Sequence, residues 1–245
     1  MLKRIFTLIS CIVIFIQASA QDRYYFYLNK YFESGKNEKS YYLRIAYRSE
    51  DEWAYNDYDA KERLIQSGFF TDTFFTKPTG HYTRYDKNQQ KYYEGDFDNG
   101  IPSKTWYFYE RNQLVDSIIY TVFDPSSKDS LKIPDGFDTT GINVKEAAFS
   151  SGQKGWEKYI YKNSSNYPDL INDELTPGLH TTTVNFIICT DGTVCGIQVT
   201  GSAHPLYDLT VVRTLRRSPK WAPAILDGNP VKFYVRQKIS LSIPD

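Results

Sequence analysis

The sequence predicts an α+β protein in which antiparallel strands outnumber helices. Its 245 residues include 21 Tyr, 15 Phe and 4 Trp but a single Met, and aromatic side chains suit pleated sheets better than helix-rich cores. Short aromatic segments alternate with polar turns in the N-terminal half, which is typical of a meander of hairpins. The C-terminal part combines helical spacing with strand alternation. A chain of this length accommodates two modest domains.

Residues 1–20 form a predicted secretory signal peptide. A basic start at Lys3 and Arg4 precedes the mostly apolar run from Ile5 to Ile16. Ala18-Ser19-Ala20 then offers a small-residue cleavage site. Because a membrane anchor normally needs about 20 apolar residues, we expect cleavage after Ala20 and export to the periplasm, in preference to an anchor in the inner membrane. The apolar run continues past Cys11, which argues against a lipoprotein.

The mature chain keeps Cys189 and Cys195, and an oxidising compartment permits a disulfide between them. They flank a turn between two apolar runs, which predicts a hairpin with one cysteine on each arm. Two registers remain open. A type I turn with Gly192 as its bulge residue pairs Cys189 with Thr193 and leaves Cys195 diagonal. A three-residue loop instead sets the two cysteines opposite each other.

The segment 58–114 contains an internal repeat. A tyrosine, a glycine and a phenylalanine recur after 27 residues, with Tyr58, Gly68 and Phe70 matched by Tyr85, Gly95 and Phe97. Four positions recur after 24 residues, with Tyr82, Tyr85, Asn88 and Gln89 matched by Trp106, Tyr109, Asn112 and Gln113. Each copy predicts two short aromatic strands joined by a polar turn, and Asn99-Gly100 links one copy to the next.

This pattern resembles the MORN repeat over residues 55–120. The resemblance rests on Gly80-His81-Tyr82-Thr83-Arg84-Tyr85, Glu94-Gly95-Asp96-Phe97-Asp98-Asn99-Gly100 and Trp106-Tyr107-Phe108-Tyr109. It implies an antiparallel meander, so we assign residues 21–123 to a MORN-like β-meander domain and the breaker-rich residues 124–148 to a linker. The aromatic ladder either stacks across neighbouring strands or binds cell-wall or surface glycan, and stacking is the simpler interpretation.

A third region, residues 149–245, alternates helices and strands. Trp156, Tyr159 and Ile160 share one face of a predicted helix, and Tyr167-Pro168 starts a second, short one. The hairpin follows, with a bulge predicted at Gly196. The next helix carries an apolar stripe of four residues and ends before a proline that cannot continue it. Those residues are Leu206, Leu209, Val212 and Leu215, followed by Pro219.

The last predicted strand runs from Val231 to Leu241. Apolar side chains alternate with polar ones along it, and only Gln237 interrupts the apolar series, so one face is expected to be buried and the other basic. At about 3.3 Å per residue the strand spans roughly 36 Å. We expect it to outrun the hairpin beside it and to leave part of its edge unpaired.

This succession of elements resembles the TonB C-terminal domain. The most telling residues are Pro219-Lys220-Trp221-Ala222-Pro223, followed by the turn Asp227-Gly228-Asn229-Pro230-Val231. The turn position Cys189 and the helix residues Thr210-Val211 depart from the family pattern. The resemblance implies an antiparallel sheet with two or three helices, which binds a periplasmic peptide of an outer-membrane receptor by strand addition. The implied partner-binding residues are Tyr167, Pro168, Lys232, Phe233, Tyr234, Val235, Arg236, Gln237 and Lys238.

The sequence contains no recognisable catalytic, metal or cofactor motif. Its 29 basic and 29 acidic residues balance without a basic run, which argues against a nucleic-acid partner. His81, His180 and His204 show no ligand spacing, so we expect no metal, and His204 is expected to cap or pack at a helix start. We therefore expect a non-enzymatic binding protein. Family members that transmit force carry a membrane anchor and a proline-rich spacer, and without these an adaptor role is favoured.

Overall fold

The computed structural model describes residues 22–34, 39–49, 51–120, 143–164 and 175–243. Within these ranges the chain forms antiparallel sheets and two helices, which confirms the predicted α+β class. Residues 1–21, with the predicted signal peptide, lie outside the described ranges. So does the short helix predicted to start at Tyr167-Pro168, and so does most of the predicted linker.

The N-terminal part is one eight-stranded antiparallel sheet in which each strand pairs with the next along the chain. We call it the meander sheet. Its strands are β1 (Arg23–Leu28), β2 (Tyr42–Ser49), β3 (Glu52–Asp59), β4 (Leu64–Phe70), β5 (Pro78–Tyr85), β6 (Lys91–Asp98), β7 (Ile101–Glu110) and β8 (Gln113–Tyr120). The sheet begins well before the repeat that the sequence reveals.

The 27-residue repeat has a direct structural meaning in the turns of the meander sheet. Asp59 and Asp86 each accept two backbone N–H bonds through Oδ1, from the second and fourth residues after them. Glu62 and Gln89 both adopt positive φ, at 60° and 62°. The two hairpins thus close through the same aspartate-capped turn.

The repeated glycines lie opposite aromatic side chains on the neighbouring strand. Gly68 pairs with Tyr55 and Gly95 with Tyr82. A Cβ added to Gly95 would lie 2.3 Å from the ring of Trp106, so this position admits no larger residue without movement. The glycines are therefore required by the close packing of rings over the strand.

The described residues of the C-terminal part form eight further elements, which are two helices and six strands in two small sheets. They are β9 (Val144–Lys145), α1 (Gly152–Ser164), β10 (Gly178–Ile188), β11 (Val194–Gly201), α2 (Pro205–Arg216), β12 (Ala224–Leu226), β13 (Asn229–Val231) and β14 (Phe233–Ile243). The order β11-β10-β14 forms what we call the C-terminal sheet, and β13-β12-β9 forms the smaller one. The strand β9 belongs to the range that the sequence assigns to the linker, and it pairs with β12.

The last strand differs from its prediction in two ways. Val231 ends β13 and pairs with Ala224 in the small sheet, so the predicted strand is interrupted at Lys232. All eleven residues of β14 pair with β10, which is also eleven residues long because it extends back to Gly178. The expectation that the last strand outruns its neighbour is therefore wrong. It outruns only β11, which has eight residues.

The helices cover one face of the C-terminal sheet and enclose an apolar core. Trp156 of α1 stacks with Tyr159, and its indole lies 4.9 Å from that of Trp221. The Trp221 backbone N–H donates to Gly192 O at 2.8 Å, which ties the Pro-Lys-Trp segment to the hairpin turn. The buried members of this core are Phe149, Trp156, Leu175, Val184, Phe186, Ile188, Tyr207, Val211, Leu215, Trp221 and Ile239.

The hairpin of β10 and β11 has the register of a type I turn with Gly192 as its bulge residue. Cys189 N–H donates to Thr193 O at 2.8 Å, and Cys195 lies diagonal to Cys189. The two cysteines nevertheless form a disulfide, with Cα atoms 6.2 Å apart. The predicted bulge at Gly196 is confirmed, because the register shifts between Asn185 and Ile187 opposite it.

The helix α2 packs against both parts of the chain. Its Leu206, Leu209 and Val212 join a second core with rings of the meander sheet. His204 caps its N-terminus, since Nδ1 accepts from Leu206 N, and the imidazole also contacts the ring of Tyr93 edge-on. The predicted capping role of His204 is confirmed. One helix thus contributes apolar side chains to the cores of both parts.

Candidate partner-binding edge

The C-terminal sheet has one edge strand on each side, and the two sides differ. The strand β11 lies beside β8 of the meander sheet, and its Ile197 and Val199 pack into the shared core. The other edge strand, β14, has β10 as its only hydrogen-bonded neighbour among the described residues. An open strand edge presents a row of backbone donors and acceptors to a partner.

The pairing pattern determines which residues of β14 face outward. Cys189 bonds toward β11, so its neighbour Ile188 bonds toward β14, and the direction alternates back along β10. Phe186 therefore bonds toward β14, where it lies opposite Val235. Val235 directs its N–H inward. The next residue, Arg236, directs its own N–H to the outer edge, as do Lys238, Ser240 and Ser242 by the same alternation.

The outward-facing residues also carry the basic side chains. Arg236 and Lys238 are exposed on the face of the sheet opposite the helices, and Lys232 is exposed just before the strand. None of the three has an acidic group within ion-pair distance among the described residues. Burial raises the pKa of Tyr234, and the nearby Arg236 opposes that shift. Within the described ranges, this part of β14 therefore presents positive charge that no acidic group neutralises, beside backbone groups that no strand pairs with.

The remaining predicted residues of β14 face the core. Phe233 and Val235 are half-buried against it. Gln237, the single polar residue in this row, accepts a 2.7 Å hydrogen bond from the Trp156 indole N–H. The predicted partner-binding residues of β14 thus divide into those that face solvent and those that face the core. Tyr167 and Pro168, which belong to the same predicted set, lie outside the described residues.

A second polar cluster lies on the meander sheet around His81. Its Nδ1 is 3.2 Å from Asp96 Oδ1, and its Nε2 is 3.4 Å from Glu94 Oε2. Lys104 holds the pKa of Asp96 low through a hydrogen bond. Burial acts to raise the pKa of Glu94, but hydrogen bonds led by that from Lys91 hold it below its usual value. Both carboxylates are therefore ionised and paired, which is a charge-balanced surface network.

The residue that sequence reasoning missed is Asp208, at the junction of the two parts. It is fully buried in α2 and accepts hydrogen bonds from the hydroxyls of Tyr120, Thr182 and Ser202. Burial raises its pKa to about 6, although these hydrogen bonds oppose the shift. One carboxylate thereby links β8, β10 and the start of α2. The sequence signal is faint, since an acidic residue simply interrupts an apolar helix.

Ion pairs at the surface reinforce the same junction. Asp116 of β8 accepts from Arg213 at 2.8 Å and from Arg216 at 2.5 Å, both on α2. Burial acts to raise the pKa of Asp116, but the two arginines hold it below its usual value. These three side chains form an ion-pair network between the meander sheet and α2, in which each charge has a partner.

The aromatic ladder of the meander sheet is largely covered. Tyr93, Trp106 and Phe108 are each at most 2% exposed, because α2 packs over them. Rings that are buried in this way contribute to the core and have no face left for a sugar. The stacking interpretation fits these three rings, whereas Tyr25, Tyr27 and Tyr107 of the same sheet remain exposed.

The described residues contain no group of three or more His, Cys, Asp or Glu side chains placed to hold a metal ion. None of the helices in the described ranges has the length and apolar character needed to cross a bilayer. No protein-family model, curated protein or solved structure matches the chain. Geometry and charge are therefore what define the candidate site at the β14 edge.

Proposed function

We propose that this chain is an exported, non-enzymatic protein of the bacterial cell envelope that binds an extended segment of a partner protein along β14. The observation that carries the proposal is the outer edge of β14. Along this edge the backbone N–H groups of Arg236, Lys238, Ser240 and Ser242 point away from β10, and the side chains of these residues are exposed. An extended peptide that adds to such an edge gains a ladder of main-chain hydrogen bonds. The mature protein is proposed to act in the periplasm.

The order of elements supports a TonB-like assignment of the C-terminal part. The resemblance implies a helix, a hairpin, a second helix and a glycine turn that leads into the last strand. The described elements follow this order as α1, β10 and β11, α2, the turn at Asp227-Gly228, and β14. Trp221 of the characteristic Pro-Lys-Trp segment lies in the core between Phe149 and Trp156. Trp221 thus packs in the same core as the buried face of β14.

The partner proposed from this assignment is the periplasmic peptide of an outer-membrane receptor, in TonB-type transport. The MORN-like meander is proposed as a rigid platform, since α2 and Asp208 fasten it to the C-terminal sheet on the side opposite β14. The described residues of a platform fixed in this position do not cover the β14 edge. This arrangement favours an adaptor over a flexible force transmitter.

Two proline variants of β14, with one alanine control, test strand addition. Val235→Pro removes an inward ladder bond and should destabilise the fold by about 3 kcal/mol or more. Arg236→Pro removes an outward donor, so its melting temperature should stay close to that of Arg236→Ala, which loses the same charge but keeps the N–H.

Partner binding is then measured in cells by photo-crosslinking. Benzoylphenylalanine at Ser242, on the outer edge, should give a specific adduct with an outer-membrane receptor, and the same probe at the exposed Lys158 of α1 should not. The adduct should persist in Arg236→Ala and decline in Arg236→Pro. Equal adducts from both probe positions, or equal unfolding of the two proline variants, would exclude strand addition at this edge.

A further inference from the structure

The chemistry of β14 also specifies the kind of segment it accepts. Resting on the proposed function, we infer that the preferred partner is an extended peptide in which acidic residues alternate with apolar ones. The two faces of β14 carry this inference separately, one through charge and the other through apolar surface.

The solvent face supplies the charge. Arg236 and Lys238 are two residues apart, so their side chains project on the same face of the strand. Their neighbours on β10 are Asn185 and Thr183, which are uncharged. A strand added beside β14 would place alternate side chains next to this pair, and opposite charges across adjacent strands are stabilising. Acidic residues at positions i and i+2 of the peptide meet both cations.

The opposite face supplies the apolar surface. Phe233, Val235, Leu241 and Ile243 pack against the core yet remain partly exposed at the sheet edge. The intervening side chains of an added strand fall on this face and would extend the core row outward. Apolar residues at i−1, i+1 and i+3 of the peptide therefore complete the pattern. A peptide that lacks either the charge or the alternation satisfies only one face.

Three blocked nine-residue peptides test this inference on the full mature chain. The first alternates Val with Glu, the second alternates Val with Lys, and the third has the composition of the first with its glutamates grouped together. Isothermal titration calorimetry at low and high salt measures their affinities. The first should bind at least tenfold more tightly than the other two, on the order expected from two surface charge pairs, and the difference from the lysine peptide should shrink in high salt.

A charge-reversed double variant provides the matched test. Arg236→Glu with Lys238→Glu should reverse the preference toward the lysine peptide. Lys154→Glu with Lys158→Glu on the exposed side of α1 makes the same change in net charge and should leave the preference intact. Circular dichroism melting checks that both double variants remain folded.

The outcomes separate the inference from the function on which it rests. Equal affinity for the glutamate and lysine peptides, with both lost in Arg236→Pro, would overturn the acidic preference and leave strand addition standing. The acidic preference would also be overturned if the α1 double variant changed it as much as the β14 variant does. Failure of every peptide to bind would overturn the inference together with the proposed edge.

Discussion

Protonation of Asp208 should strengthen the junction between the two parts of the chain. Its pKa is about 6 in the fold against 3.8 for an unperturbed aspartate, because burial disfavours the charged form. A raised pKa means that the stabilisation from this group is complete below pH 3.8 and is lost as the pH rises through 6. The difference of about 2 units between these two pKa values corresponds to roughly 3 kcal/mol in the free energy of unfolding.

A pH range from about 5 to 7.5 brackets the folded pKa of Asp208, so it captures the part of this loss that can be measured near neutral pH. Linkage with these two pKa values gives a loss on the order of 1 kcal/mol in the free energy of unfolding over this rise in pH. Asp208→Asn cannot ionise, so the difference in stability between wild type and this variant should change by that amount. Urea unfolding at the two pH values, followed by tryptophan fluorescence, measures the difference.

The matched control is Asp116→Asn, at the surface of the same junction. The pKa of Asp116 is already below its usual value, so its stabilisation is present above the unfolded pKa and is lost only as the pH falls through the lower folded pKa. The difference between wild type and Asp116→Asn should therefore stay nearly constant from about pH 5 to pH 7.5. An equally constant difference for Asp208→Asn would refute the claim that a buried, titrating carboxylate links the two parts.

Three further predictions concern the meander sheet, the hairpin and export. Gly95→Ala should destabilise the chain by about 1–3 kcal/mol in thermal melts, because its Cβ would meet Trp106; an unchanged melting temperature would show that the ring moves freely. Replacing Cys189 and Cys195 by alanine should cost about 2 kcal/mol in urea unfolding, as expected for a short closed loop, and an unchanged midpoint would contradict this. Mass spectrometry of the exported protein should show Gln21 as its first residue, and recovery of an intact Met1 form from the inner membrane would contradict cleavage.

Local features of the fold could be predicted from the sequence because they depend on neighbouring residues. The repeated tyrosines and glycines predicted the meander, since each hairpin pairs adjacent segments through a short turn. The bulge at Gly196 and the cap at His204 also depend on a few consecutive residues. The strands β1 and β2 precede the recognisable repeat and carried no such signal.

Features that depend on distant residues could not be predicted in the same way. Asp208 bonds to Tyr120, which is 88 positions away in the sequence. The packing of α2 against the meander sheet likewise joins segments with no shared periodicity. The interruption at Lys232 arises because Val231 finds a separate partner in Ala224, and alternation alone does not distinguish one strand from two.

The sequence predicted which strand carries the candidate edge, but not which of its backbone groups face outward. The alternation along the last strand predicted one basic and one buried face, and β14 has this arrangement. Which backbone groups face outward depends on the register of β10 with both neighbours. That register follows from the bond between Cys189 and Thr193, which belongs to one of the two hairpin registers compatible with the sequence.

Backbone hydrogen exchange along β14, measured by NMR, tests strand addition most directly. In the free protein the inward amides of Val235 and Gln237 should exchange slowly, whereas the outward amides of Arg236, Lys238 and Ser240 should exchange fast. Addition of the peptide that alternates valine with glutamate should slow the outward set to the level of the inward set. Outward amides that are already protected in the free protein, or that stay unprotected when peptide is bound, would contradict a partner strand at this edge.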